Sequence, residues 1–204
     1  GLVRPASVAH GPDETLHEAW DRAGLTGPLR RSVLEPFLTG VLADDGAATS
    51  AAYATLITRL FALGRPGVPA AGVAALPRRL AELARAAGAE IRLSHPVDGV
   101  TVNGERFELD GGVAAREVIV AVGGEHLSRL TGEPAPPMRG LQTWWFGTGA
   151  EAPASALLAV DGERAGPIVN SVVMSHTAPG YAPAGRHLVA ASCLLRDAAD
   201  ETSV

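Results

Sequence analysis

The first thing missing from this chain of 204 residues is lysine. All 17 basic residues are arginine, so Schiff-base chemistry, a P-loop lysine and a lysine general base are excluded for these residues. Cysteine occurs once, as Cys193, which rules out an internal disulfide and a cysteine zinc cluster. A lone thiol fits a reducing compartment, and a cytoplasmic location is expected. No apolar run approaches the roughly 18 residues of a membrane span. The net charge is −5, with no basic cluster, which argues against nucleic acid as a partner. Neither an HxxxH pair nor an H-E-x-x-H run is present, so no metal site is expected. The histidines, among them His10, His17, His126, His176 and His187, are scattered. Ser175, Ser171 and Ser192 lie outside any G-x-S-x-G elbow, and a triad of Ser175, His176 and Asp161 has no support in spacing. No catalytic residue is assigned. The nearest thing to a dinucleotide fingerprint is Gly147-Thr148-Gly149-Ala150-Glu151-Ala152. Glu151 would set a negative charge where phosphate belongs, and Pro153 follows, so it reads as a hairpin loop.

What is present is a chain that is 47% hydrophobic, enough to bury a sizeable core. Its most ordered stretch runs from Val68 to Val122. Leu76, Leu80, Leu83, Ala84 and Ala87 recur at helical spacing, with Gly72 and Pro77 at the entry and Gly88 placed for a left-handed cap. A short strand is expected over 90–93 and another over 97–102. Asn103-Gly104 signals a hairpin returning through 106–109, and Asp110-Gly111-Gly112 turns the chain again. The run EVIVAV, 117–122, reads as a strand covered on both faces.

Before this stretch, the pattern predicts a helix over 13–23 capped by Asp13. A second starts at 28–34 and is interrupted by Pro36. A third is capped by Thr49 or Ser50 and ended by Gly64, with Tyr53, Leu56, Ile57, Leu60 and Phe61 as a wide apolar face. After it, one or two helical turns are expected over 125–130, and Gly132 to Pro137 is the clearest linker. Four strands follow, at 141–146, 156–160, 168–174 and 187–194, implying an antiparallel or mixed sheet. The chain opens GLVRPAS, without an initiating methionine or signal segment, and ends where Asp200 and Thr202 read as the start of a helix. An internal piece of a longer protein is expected.

Pro69, Gly72, Leu76, Leu80, Gly88, Ile91, Leu93, Val97, Val100, Val118, Val120 and Ala121 follow a pattern close to P-x-G-G-M-x-x-L-x-x-x-L, then G-x-x-I-x-L-x-x-x-V-x-x-I, then V-V-x-A. In this respect the chain resembles the flavin-containing amine oxidase superfamily, which includes amine oxidases, protoporphyrinogen oxidase and phytoene desaturase-like enzymes. Two departures stand out. Ala71 or Val73 replaces the usual glycine and methionine, and Ala121-Val122-Gly123 replaces A-x-P or A-x-T. Further resemblances follow in order: Leu34 to Leu42 to a P-F-x-x-G-V-F element beside the substrate cavity, Thr143 to Phe146 to T-x-x-Y/W-F, Asn170 to Ser175 to N-x-x-V-x-S, and Ala178 to Gly185 to A-P-x-Y-A-P-x-G.

The resemblance implies a mixed α/β (α+β) fold in three parts. Residues 1–89 would be a helical part of a substrate domain. Residues 90–131 would be a strand and β-meander of an incomplete FAD-binding domain, and 138–204 a substrate-domain sheet. It implies FAD in the full-length parent, absent or weakly held by this chain, with contacts from Val97, Ala121, Val122 and Gly123. It implies a small apolar or amine substrate near Phe37, Trp144, Trp145 and Phe146, although core packing is the competing reading for these aromatics. The implied reaction is hydride transfer to flavin from a C–N or C–C bond, with the isolated piece inactive. Amine oxidases proper use a flavin-linked lysine, so its lack here favours desaturase- or dehydrogenase-like chemistry. Uncovered apolar strands imply self-association. A self-contained small-molecule or protein-binding domain without catalysis is the alternative.

Overall fold

A computed structural model describes residues 13–149 and 152–195. His10, the pair Ala150-Glu151 and the helix start at Asp200 and Thr202 lie outside the described residues. The fold is mixed α/β with two antiparallel sheets. Contacts divide it into two units: 13–78 with 139–195, and 79–138.

In the first unit α1 (Leu16–Arg22) starts at Thr15, not at Asp13. The Thr15 hydroxyl accepts the Glu18 amide at 3.2 Å, and the Glu18 carboxylate accepts the Thr15 amide at 2.9 Å. This reciprocal box satisfies two donors at once, whereas Asp13 accepts the Ser50 hydroxyl at 2.8 Å instead. A wide, π-type turn over Arg30–Leu34 runs directly into α2 (Glu35–Leu42). Pro36 therefore does not interrupt the helix. The Glu35 amide reaches back to the Arg30 carbonyl, and the enlarged turn accommodates a ring that lacks an N–H.

Helix α3 (Ala51–Leu63) is capped by Ser50, whose hydroxyl accepts the Tyr53 amide at 3.1 Å. It stops at Gly64 with φ −85°, so no left-handed turn is involved. Space decides that glycine: a Cβ there would stand 2.5 Å from the Leu60 carbonyl oxygen. The three helices meet at Leu16, Leu38 and Ala54, with Trp20, Phe37, Leu42 and Ala47 around them. The wide apolar face expected of α3 is not a core face. Ala54 is buried, while Tyr53, Leu56, Leu60 and Leu63 are exposed.

The sheet of this unit holds β4 (Gly140–Thr148), β5 (Ala159–Val160), β6 (Ile168–Val173) and β7 (His187–Leu195), in the order β4-β7-β6-β5. Every pairing is antiparallel. A short helix, α6 (Met174–Thr177), follows β6. Tyr181, in the Pro-rich loop before β7, donates its hydroxyl to the Pro69 carbonyl at 3.1 Å.

Helix α4 (Ala75–Ala86) leads into the second unit and ends at Gly88 in the expected left-handed conformation, φ +90°. Its apolar stripe is exposed along its length, Leu76, Leu80 and Leu83 included. The meander is β1 (Val100–Asn103), β2 (Arg106–Leu109) and β3 (Val113–Ala115). Gly104 and Glu105 form the hairpin loop, and only Gly104 has positive φ. That places the glycine first in a type II′ arrangement. Helix α5 (Leu127–Thr131) closes the unit. Residues 90–93 and 117–122 are not strands. An extended segment becomes a strand only against a neighbour, and neither has one among the described residues. Ile119 is 92% exposed and Leu93 79%.

Candidate functional site

The two faces of the β4–β7–β6 sheet differ in chemistry. Thr143 pairs with Ser192, and their hydroxyls hydrogen-bond at 2.9 Å. Asn170 pairs with the same Ser192, so these residues share one face. Helix α2 packs on it: a Cβ at Gly40 would fall 2.0 Å from the Asn170 side-chain nitrogen. Trp145 belongs to this face but stands on edge strand β4, where it is 56% exposed.

Gln142, Trp144 and Phe146 alternate onto the opposite face, across from Cys193, Ala191 and Val189. Phe146 is 51% exposed. The Gln142 Oε1 and Trp144 Nε1 atoms are buried and have no hydrogen-bond partner. A buried polar atom left unpaired costs about 1–3 kcal/mol. The next orphan is His176 Nε2. Its ring lies 4.9 Å from that of His187, which continues the same face opposite Thr148. His187 Nδ1 is 3.3 Å from Ser175 Oγ, and that oxygen accepts the Leu188 amide. No carboxylate contacts His187 among the described residues, and Asp161 binds the Glu163 and Gly166 amides of its own loop. Ser175, His176 and Asp161 form no triad.

Phe37 stands apart from the β4 aromatics, in the helical core, edge-on to Phe61 at 5.3 Å between ring centres. Two charged nodes that the sequence pattern did not reveal brace this unit. Arg30, 4% exposed, meets Asp21, Glu35 at 2.7 Å, the Leu25 carbonyl at 3.1 Å and His17 Nδ1 at 2.7 Å, and lies over Trp20. Asp44, also 4% exposed, accepts the Thr49 amide and hydroxyl at 2.6 Å each and the Gly46 amide at 3.1 Å. Burial pushes the Asp44 carboxyl up. The Thr49 and Gly46 hydrogen bonds and the Arg139 charge outweigh that, leaving it below the usual range. The local spacing Asp44…Gly46…Thr49, typical of a side-chain-closed turn, is the one sequence signal that could have found it. No cluster of three or more metal-ligating side chains exists among the described residues, and no helix is long and apolar enough to cross a membrane.

In the second unit Val97 is half-buried, and Ala121, Val122 and Gly123 are exposed, outside any helix or strand. The backbone groups of Val97, Ala121 and Val122 enter no backbone hydrogen bond among the described residues. At Gly123 a Cβ would meet only the tip of the exposed Glu125 side chain, at 2.4 Å, which can swing aside.

The fold is that of a solved oxidoreductase structure from Methanosarcina mazei, which superposes with a TM-score of 0.70 over 97% of this chain at 13% identity. This chain spans 51% of that one. The family model for flavin-containing amine oxidoreductases matches residues 8–203, and the chain belongs to that family. A comparison with curated protein sequences gives no match.

Proposed function

We propose that this chain is the substrate-binding region, with part of the FAD-binding region, of a longer FAD-dependent oxidoreductase. Residues 1–89 and 138–204 serve the substrate domain, and 90–131 the cofactor domain. Val97, Ala121, Val122 and Gly123 hold FAD through main-chain contacts, so small or apolar side chains suffice. Trp144 and Phe146, which share the face of β4 opposite α2, supply the apolar surroundings of a small apolar or amine substrate, whereas Trp145 lies on the other face and Phe37 in the helical core. FAD, when held there, would supply the acceptor for the hydride that leaves a C–H bond as a C–N or C–C bond of the substrate is oxidised; the protein residues bind, orient and exclude water. The observation that carries the reading is the family match over 8–203, which spans both the orphan-bearing sheet face and the unpaired backbone of the second unit.

The test is the flavin content of the purified chain against that of the protein extended upstream. The expected result is little or no FAD and no turnover in the chain alone, with one FAD per extended protein. One FAD per chain, or none in the extended protein, overturns the reading.

A further inference from the structure

We propose that the face of β4 opposite α2 binds a neutral amide-type group of the substrate, with Gln142 Oε1 accepting its N–H and Trp144 Nε1 donating to its carbonyl. The two orphans stand two residues apart on one face of one strand, about 6.8 Å between their Cα atoms. One is an acceptor and the other can only donate, so the pair complements a ligand carrying one of each. Strands β4, β6 and β7 contain no Arg, Asp or Glu, so an ionised group finds no permanent counter-charge beside Gln142 and Trp144 on these strands and a neutral one is favoured. Phe146, half exposed beside them, offers an apolar surface to the rest of the ligand. A pure hydrocarbon substrate would leave both atoms unpaired.

The inference rests on the functional reading only in calling this ligand the substrate; the binding itself is measured without flavin. N-benzylacetamide is compared with N-benzyl-N-methylacetamide, which keeps the carbonyl and has lost the N–H. Binding to the full chain is followed by tryptophan fluorescence and by the shift in unfolding midpoint. The unmethylated probe is expected to bind about five- to tenfold more tightly, the worth of one hydrogen bond. Gln142→Met should erase that preference, and Trp144→Phe should weaken both probes by a similar factor. The methylated probe deletes the same hydrogen bond from the ligand side, so the comparison stands even if a variant fails to fold. No binding of either probe to the unaltered chain overturns the proposal. So does a preference that survives Gln142→Met, or an ordered water bridging both atoms in the ligand-soaked crystal. If the amide binds while the extended protein takes up no FAD, the flavoenzyme reading falls and this site remains.

Discussion

Arg139, at the entrance to β4, holds the buried Asp44 carboxylate at 3.0 Å, although 95 positions separate them in sequence. This contact ties the loop between α2 and α3 to the edge of the sheet that carries the candidate site. Asp44→Ala would leave the Thr49 amide and hydroxyl and the Gly46 amide without their acceptor. The expected loss is about 1–3 kcal/mol, measured by urea unfolding. An unchanged midpoint would mean that the loop is held by other contacts.

The same carboxyl sets a pH dependence. Its native pKa is lowered, so the unfolded chain takes up the proton first on acidification. The contribution of Asp44 to stability is therefore full above the ordinary aspartate value of about 3.9 and is lost as pH falls through the lower native value. The gap in unfolding free energy between the native chain and Asp44→Asn should be constant from neutrality to about pH 5 and shrink below about pH 4. A gap that widens on acidification would reverse the sign argued here.

Arg30 uses the planar fork of its guanidinium on several partners at once: Asp21, Glu35, the Leu25 carbonyl and His17. An ammonium cannot reproduce that geometry. His17 Nδ1 faces a guanidinium donor and must accept, so its proton sits on Nε2, towards Asp21 at 3.3 Å. Arg30→Lys should lower the melting temperature clearly more than Arg31→Lys, whose one hydrogen bond among the described residues is to the Thr26 carbonyl. Equal shifts in a circular-dichroism melt would remove Arg30 from its place as the organising cation of the helical segment.

Local signals in the chain were read correctly where the physics is local. The cap at Thr49 or Ser50, Gly88 and the meander around Gly104 depend on near neighbours, whereas the four strands after Pro137 show as local alternation while their pairing, residues 140–148 with 187–195, is long-range. The errors fall where a distant partner decides. EVIVAV has the composition of a covered strand, yet pairing needs a second chain segment that composition cannot supply. Pro36 stops a helix where the turn before it is regular, and the wide turn over Arg30–Leu34 is not. Thr15 displaced Asp13 as a cap because Glu18 completes a reciprocal pair, a signal that was present in Thr-x-x-Glu. Gln142 carries no signal in the sequence, since an orphaned acceptor exists only once the fold has removed water from it.

Two glycines separate crowding from backbone freedom. A Cβ at Gly162, in the loop after β5, would stand 2.8 Å from the Ser32 carbonyl of the wide turn. Main chain cannot swing aside as a side-chain tip can, so Gly162→Ala should cost about 1–3 kcal/mol. Gly27 has nothing within 4 Å of its would-be Cβ and no positive φ. Gly27→Ala should be neutral or stabilise by about 0.4–1 kcal/mol, through the unfolded state. Chemical unfolding of the two variants side by side is the check, and a Gly162→Ala chain as stable as the original would show that this loop and turn can separate freely.

The unit from Arg79 to Met138 buries little of its own apolar surface. Leu130 is its one buried residue, while Leu80, Leu83, Leu93 and Ile119 are all exposed. Residues 117–122 lie in no helix or strand, and their main-chain groups enter no backbone hydrogen bond among the described residues. An apolar, unpaired extended segment is a template for another copy. The chain is therefore expected to self-associate, with a mass that rises with concentration in sedimentation equilibrium. Ile119→Lys places a charge in the middle of that segment and should return the mass towards the monomer, whereas Val33→Lys, at an exposed apolar position in the other unit, should not. A monomer at all concentrations, or equal relief by both substitutions, would separate the association from this segment.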